Sequence, residues 1–175
     1  MLAEIHRSEG INTQGKTIYR NAVRGAILRG RSLLMVHSTT VGDYKFPGGG
    51  VDAGESHEQA LRREIREECG ALLVEFGQSI GSVIEYDRPE ESDYDVFKMT
   101  SHYYLCQVGD GFCTQKLDEY ERDLGFKPVW IDIDESLLAN RLLLNSDKTP
   151  QWLKREIFVL EYIKRNLLDI KEQYS

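Results

Sequence analysis

Residues 49–70 read GGVDAGESHEQALRREIREECG, and this stretch decides the fold because it joins a glycine-rich loop to a helix with defined ends. Ser56 is a preferred N-cap residue, and Gln59 three positions later completes a capping-box pattern. Gly70 predicts the C-terminal end of the helix. Between these ends an apolar residue recurs at every fourth position, which predicts a buried stripe along one helix face. The stripe consists of Leu61, Ile65 and Cys69.

Three acidic residues of the same helix, Glu64, Glu67 and Glu68, are three and four positions apart and therefore share a face beside the apolar stripe. Carboxylates grouped at the edge of a core repel one another and resist desolvation, so they call for a compensating cation. Oxygen ligands suit Mg²⁺ or Mn²⁺, and Mg²⁺ takes further oxygens from substrate phosphates. The pattern therefore indicates phosphoryl chemistry. The alternative is a solvated acidic face paired with Arg63 and Arg66.

The sequence around this helix predicts a mixed β-sheet between helical layers. Two apolar runs around a glycine-containing turn, at residues 22–28 and 33–36, predict a hairpin, and residues 41–50 a loop. Further strands are predicted at 71–86, 102–108 and 126–133. An exposed loop is predicted at 87–95, a charged loop at 115–125, and helices at 134–144 and from Pro150 onward. The last helix carries Leu153, Ile157, Leu160, Ile163 and Leu167 on one face. The predicted fold class is α/β, with the architecture of an α/β/α sandwich.

Length and composition favour one globular domain, expected to span residues 1–175. The hydrophobic fraction of 41% is sufficient for a core, and the net charge of −7 argues against a general nucleic-acid binder. No uncharged apolar run approaches the ~20 residues of a membrane span. The N-terminus lacks the apolar stretch of a signal peptide, and three cysteines are too few for a disulfide framework, so a cytoplasmic location is expected.

Residues 49–71 resemble the Nudix hydrolase signature, G-x5-E-x7-R-E-U-x-E-E-x-G-U, in which U is a bulky aliphatic residue. The matching positions are Gly49, Glu55, Arg63, Glu64, Ile65, Glu67, Glu68 and Gly70. Ala71 departs from the pattern at the last aliphatic position and carries no ligand atom. The FPGG at residues 46–49 and the VWID at 129–132 also look like the family. The resemblance implies a Nudix-like fold and a pyrophosphohydrolase that requires Mg²⁺, with Mn²⁺ as a substitute.

The resemblance also implies a metal site at the acidic face of the helix. Glu64, Glu67 and Glu68 would hold one or more Mg²⁺ ions, with help from a backbone carbonyl at Gly48 or Gly49. The metal would bridge oxygens of a diphosphate and activate a water for in-line attack on phosphorus.

The general base is expected to be Glu64. The family's alternative to this base is a glutamate in a loop before the last strand, which makes Glu121 and Glu119 rivals, although solvated loop charges are the simpler interpretation of both. Glu55 and Arg63 are expected to form a structural ion pair that fastens the loop to the helix.

The substrate is expected to be a small nucleotide derivative held by cations as well as by metal. Arg24 and Lys45 are placed to reach the mouth of the site, with exposed surface cations as the alternative. The sequence does not decide between nucleoside triphosphates, dinucleoside polyphosphates and nucleotide sugars as substrates. Tyr86, fifteen positions past Ala71, weakly favours dinucleoside polyphosphates. The alternative function is a non-catalytic nucleotide-binding sensor or scaffold. Neither a nucleic-acid nor a membrane partner is expected. RNA 5′-end processing is a less favoured function. The sequence leaves open whether the protein forms a homodimer.

Overall fold

The structure, a computed structural model, describes residues 1–147 and 149–172. The strands formed by these residues are β1 (Ala3–His6), β2 (Thr17–Arg29), β3 (Ser32–Ser38), β4 (Tyr44–Lys45), β5 (Ala71–Asp87), β6 (Val96–Phe112) and β7 (Phe126–Asp132). The helices are α1 (His57–Cys69), α2 (Glu119–Leu124), α3 (Ile133–Leu143) and α4 (Leu153–Glu172). None of these helices is both long enough and apolar enough to cross a membrane.

The strands form one mixed sheet in the order β1-β5-β6-β2-β3-β4, with β7 paired to β3. The β1–β5 and β2–β6 pairs are parallel, and the remaining pairs are antiparallel. The predicted hairpin is confirmed, because β2 and β3 pair antiparallel on either side of Gly30, which has a φ of 59°. Glycine adopts this left-handed conformation without steric cost.

The glycine loop is hydrogen-bonded to β2 as an additional, irregular strand. The backbone N–H of Val23 donates to the carbonyl of Gly49 at 2.9 Å, and that of Gly25 donates to the carbonyl of Pro47 at 2.9 Å. The sheet therefore holds the loop in place through backbone contacts.

The core lies on both faces of the sheet, which confirms the α/β/α sandwich. On one face α1 packs through the predicted stripe of Leu61, Ile65 and Cys69 against Val23 and Ile27 of β2. On the other face α3 and α4 pack against residues such as Ala26 and Leu33. The predicted α4 face is buried at Leu153, Ile157, Leu160 and Ile163, and the side chain of Leu167 lies outside the described residues.

The structure corrects several boundaries. The expected 115–125 loop contains α2, whose N-cap Asp118 and third residue Glu121 form a capping box before Gly125 ends the helix. α4 begins at Leu153, and Pro150 lies in the preceding turn, where its carbonyl accepts the N–H of Leu153 at 3.0 Å. β6 extends well beyond the predicted strand, and β1 was not predicted because four residues show too little periodicity.

Candidate functional site

The ends of α1 and the glycine loop have the predicted local geometry. Ser56 and Gln59 form the capping box, and Gly70 ends the helix in the left-handed conformation with a φ of 66°. Gly48 has a φ of 134°, and a Cβ at this position would collide with the carbonyl oxygen of Val23. A Cβ added at Gly49 would lie 2.5 Å from the carboxylate carbon of Glu64. Glycine at both positions therefore lets the loop backbone approach the sheet and the acidic helix.

Glu68 is fully buried, although the sequence placed it beside the apolar stripe. Its Oε2 accepts the N–H of Gly48 at 2.7 Å, and its Oε1 forms an ion pair with Lys45. The ammonium of Lys45 also lies 4.5 Å from the ring centroid of Phe126. A buried carboxylate is tolerated when it is paired and hydrogen-bonded, which is the condition met here.

Arg63 connects the loop to the acidic face of α1. Its Nε and Nη2 donate to the carboxylate of Glu55, both at 2.8 Å, and Nη2 also donates to the carbonyl of Gly50 at 3.0 Å. Its Nη1 donates to Glu64 at 2.6 Å and lies 3.4 Å from Glu67. The hydrogen bonds from Arg63 lower the pKa of Glu55 to about 2. The expected ion pair between Glu55 and Arg63 is thus present in the structure.

The three glutamates differ in exposure and in charge environment. Burial raises the pKa of Glu64, the negative charge of Glu68 adds to the rise, and the hydrogen bond from Arg63 opposes it. Glu67 retains 38% exposure of its side chain. Each carboxylate oxygen is a donor type that Mg²⁺ prefers. In the parts of the chain that the structure describes, however, no three acidic, histidine or cysteine side chains converge closely enough to hold a metal ion. Glu68 is paired with Lys45, and Glu64 is paired with Arg63.

Arg24, expected at the mouth of the site, is buried in its wall. Its Nη1 donates to the carbonyl of Gly48, one of the two carbonyls considered as metal ligands, while its Nε lacks a hydrogen-bond partner among the described residues. Burial lowers the pKa of Arg24, and the nearby charge of Arg155 lowers it further. Arg24 and Lys45 therefore both contact elements of the site through their charged groups.

A cavity of about 700 Å³ opens beside the glycine loop and α1. The expected site residues that line it are Arg24, Lys45, Gly49, Glu64, Glu68 and Glu121. The pKa of Glu121 is raised, mainly by burial, and its Oε2 accepts the N–H of Asp118 at 2.9 Å. Of the two rival bases on α2, the structure thus brings Glu121 into the same cavity as Glu64. Tyr86 is buried, with its ring packed against His6 at a centroid distance of 5.1 Å.

Several cavity residues were not identified from the sequence. They are Arg7, Arg20, Arg88, Tyr120, Trp152 and Arg155. The side chain of Arg20 is exposed to the cavity, and its guanidinium forms no hydrogen bond or ion pair with another described residue. On α4, the neighbouring Glu156 accepts the N–H of Phe46 at 2.8 Å and so anchors the start of the glycine loop. The sequence could have indicated that Glu156 is buried. Glu156 lies three positions after Leu153 and four before Leu160, which places it within the apolar stripe of the helix.

The site combines a glycine loop, hydrogen-bonded to a mixed sheet, with an adjacent helix that carries an acidic face. These features define a NUDIX domain. The family model described as NUDIX domain matches residues 18–153, and the chain belongs to this family.

Two of the curated relatives are named for different activities. An RNA pyrophosphohydrolase of Sulfurovum sp. (strain NBC37-1) is 33% identical over 104 residues, which cover 54% of this chain and 66% of the relative. An 8-oxo-dGTP diphosphatase of Haemophilus influenzae is 69% identical over 30 residues, or 17% of this chain and 22% of the relative. The chain thus matches less than two thirds of the length of each of these relatives.

Solved structures share the fold. A NUDIX hydrolase from Nitrosomonas europaea superposes with a TM-score of 0.55 at 22% identity, covering 78% of this chain and 87% of the other. A MutT NUDIX hydrolase from Burkholderia pseudomallei gives a TM-score of 0.50 at 22% identity, covering 67% and 85%.

Proposed function

We propose that the protein is a pyrophosphohydrolase that cleaves the phosphoric anhydride of a nucleoside diphosphate linked to another group. One observation carries this proposal: Glu64 and Glu68 lie against the Gly48–Gly49 backbone in the wall of a cavity that is large enough for a nucleotide. The cavity also presents cations, which an anionic substrate requires. The names of the curated relatives agree with this class of reaction.

Mg²⁺ is the cofactor we propose, with Mn²⁺ as a substitute. Glu64, Glu67, Glu68 and a carbonyl of Gly48 or Gly49 would hold it once Lys45 and Arg63 release their carboxylate contacts. When bound, it would neutralise phosphate oxygens and acidify a water molecule.

Side chains of the cavity would accept the proton and bind the phosphates. Glu64 is the proposed base, because it lines the cavity beside the glycine loop, and Glu121, which lines the same cavity, is the alternative. Arg20, Arg24 and Lys45 would provide positive charge for the phosphate chain. Glu55 and Arg63 would hold the loop on the helix, without contact to the substrate.

Hydrolysis of a nucleotide panel in Mg²⁺, with the Glu64→Gln protein in parallel, tests the proposal. The panel contains canonical and oxidised nucleoside triphosphates, dinucleoside polyphosphates, ADP-ribose, nucleotide sugars and a 5′-triphosphorylated RNA. The net charge of −7 favours small substrates over the RNA, whereas the names of the relatives favour including it. Metal-dependent turnover that Glu64→Gln loses is the expected result. Nucleotide binding without turnover on any substrate would favour the alternative, a nucleotide-binding sensor.

A further inference from the structure

Two aromatic side chains line the cavity next to the acidic residues of α2. Tyr120 is 56% exposed, and its ring centroid lies 6.5 Å from that of Trp152, with the ring planes 89° apart. Tyr120 directly precedes Glu121, so this aromatic pair adjoins the acidic end of the cavity. Neither residue was identified from the sequence as part of the site.

The indole of Trp152 is hydrogen-bonded to a buried carboxylate. The indole Nε1 donates to Oδ2 of Asp43 at 2.7 Å. The backbone carbonyl of Trp152 accepts the N–H of Glu156 at 3.1 Å. Asp43 is fully buried, and its Oδ1 has no hydrogen-bond partner among the described residues. Burying a carboxylate costs free energy. A tryptophan that only filled space would not require a buried carboxylate as a hydrogen-bond acceptor. A ring fixed in advance loses little entropy when a ligand binds.

From this geometry we propose that Tyr120 and Trp152 form a nucleobase-binding subsite, in which the base stacks on the face of one ring and meets the perpendicular ring edge-on, and the phosphates point towards Glu64 and the glycine loop. Flat aromatic bases stack on such side chains without regard to base identity, so this subsite would accept purines and pyrimidines. The inference rests on the proposed function, since it assigns the base of the same nucleotide substrate.

Fluorescence provides a direct test because the chain contains two tryptophans, and Trp130 lies in the wall of a different cavity. In EDTA, where metal-dependent hydrolysis stops, the Trp130→Phe protein reports Trp152 alone. We expect ATP and UTP to quench its emission saturably and inorganic tripolyphosphate to leave it unchanged. The Trp152→Phe protein, which reports Trp130, should show no quenching. Equal quenching by tripolyphosphate, no quenching of Trp152, or quenching that persists in Trp152→Phe would overturn the subsite.

Kinetics test the same subsite through Tyr120, which is exposed enough for replacement without unfolding. Tyr120→Ala should raise KM by about tenfold for the nucleotide that the panel identifies as substrate, with kcat nearly unchanged. Tyr19→Ala is the matched control, because Tyr19 is 73% exposed and lies on β2. An unchanged KM in Tyr120→Ala refutes the subsite while leaving the hydrolase proposal intact. Quenching of Trp152 by nucleotides without any hydrolysis supports the subsite and refutes the hydrolase.

Discussion

At the scale of single residues, Glu67 is the member of the acidic face whose replacement should reduce activity while leaving the free energy of unfolding nearly unchanged. Its side chain is 38% exposed and touches Arg63 only at 3.4 Å. Glu67→Gln should therefore change the free energy of unfolding by less than ~0.5 kcal/mol. Because the variant loses a proposed metal ligand, kcat/KM in Mg²⁺ should fall by about 100-fold or more.

The matched control for Glu67→Gln is Glu58→Gln on the same helix, where Glu58 pairs with Arg62 at the surface. Steady-state kinetics and urea unfolding of both variants provide the comparison. Full turnover by Glu67→Gln would remove this residue from the metal site.

Glu68 should respond differently because it is buried. Glu68→Gln keeps an acceptor for the N–H of Gly48 but leaves the ammonium of Lys45 without its counter-charge. Breaking a buried ion pair on one side costs about 3–5 kcal/mol, and urea unfolding should show a loss of that order. A loss no greater than that of Glu67→Gln would contradict the buried pair.

Glu55 makes the stability depend on pH. The hydrogen bonds from Arg63 lower its pKa from 4.5 to about 2, so the folded state holds the ionised form more strongly than the unfolded state does. This stabilisation is complete above pH 4.5 and disappears as the pH falls through about 2. Glu55→Gln should therefore be less stable than the parent protein at pH 7, with the two converging in acid. Urea unfolding across this range measures the difference, and a gap that stayed constant with pH would exclude the ionic origin.

At the scale of elements, the glycine loop and β2 form one unit. A Cβ at Gly48 would meet the carbonyl of Val23, which is fixed in β2, and φ at this position is unfavourable for other residues. Gly48→Ala should cost more than the ~1–3 kcal/mol of a strained φ alone and should also abolish turnover.

Gly111→Ala in β6 is the control for this substitution, because no described atom outside Gly111 and its two chain neighbours lies within 4 Å of the added Cβ. Its melting temperature should match that of the parent protein. Similar effects of the two replacements in thermal unfolding would show that the loop is not held against the strand as described.

At the scale of the whole molecule, a buried ionic network joins the C-terminal helix to the sheet and to the site. Arg155 donates to Glu85 at 2.6 Å and to Glu156 at 2.7 Å, while Arg7 donates to Glu85 at 2.8 Å. Glu156 in turn holds the N–H of Phe46. The position of the glycine loop therefore depends on α4.

Arg155→Met removes the cation at the centre of this network and should lower the free energy of unfolding by about 3–5 kcal/mol. Arg165→Met is the control on the same helix, since Arg165 is 71% exposed and pairs with Glu161 alone among the described side chains, and should change stability by less than ~1 kcal/mol. Urea unfolding of the two variants decides the matter. Equal stabilities would show that the network does not support the fold.

The capped helix α1, the hairpin, the sandwich architecture and the family could be predicted from the sequence. Each depends on residues that lie close together in the chain: the capping box spans Ser56 to Gln59, and the buried stripe repeats every four residues. The acidic face was predicted for the same reason, because helix geometry alone puts Glu64, Glu67 and Glu68 together.

Tertiary structure decided which of those carboxylates are buried and what they touch. Glu68 meets Lys45 from 23 positions earlier, and Glu156 reaches Phe46 across 110 positions. Likewise, only folding brings Glu121, Tyr120 and the acidic helix around one cavity. Local periodicity determines the face on which a side chain lies, whereas its partner depends on how the sheet and helices pack, because contacts between distant segments form only in the folded chain.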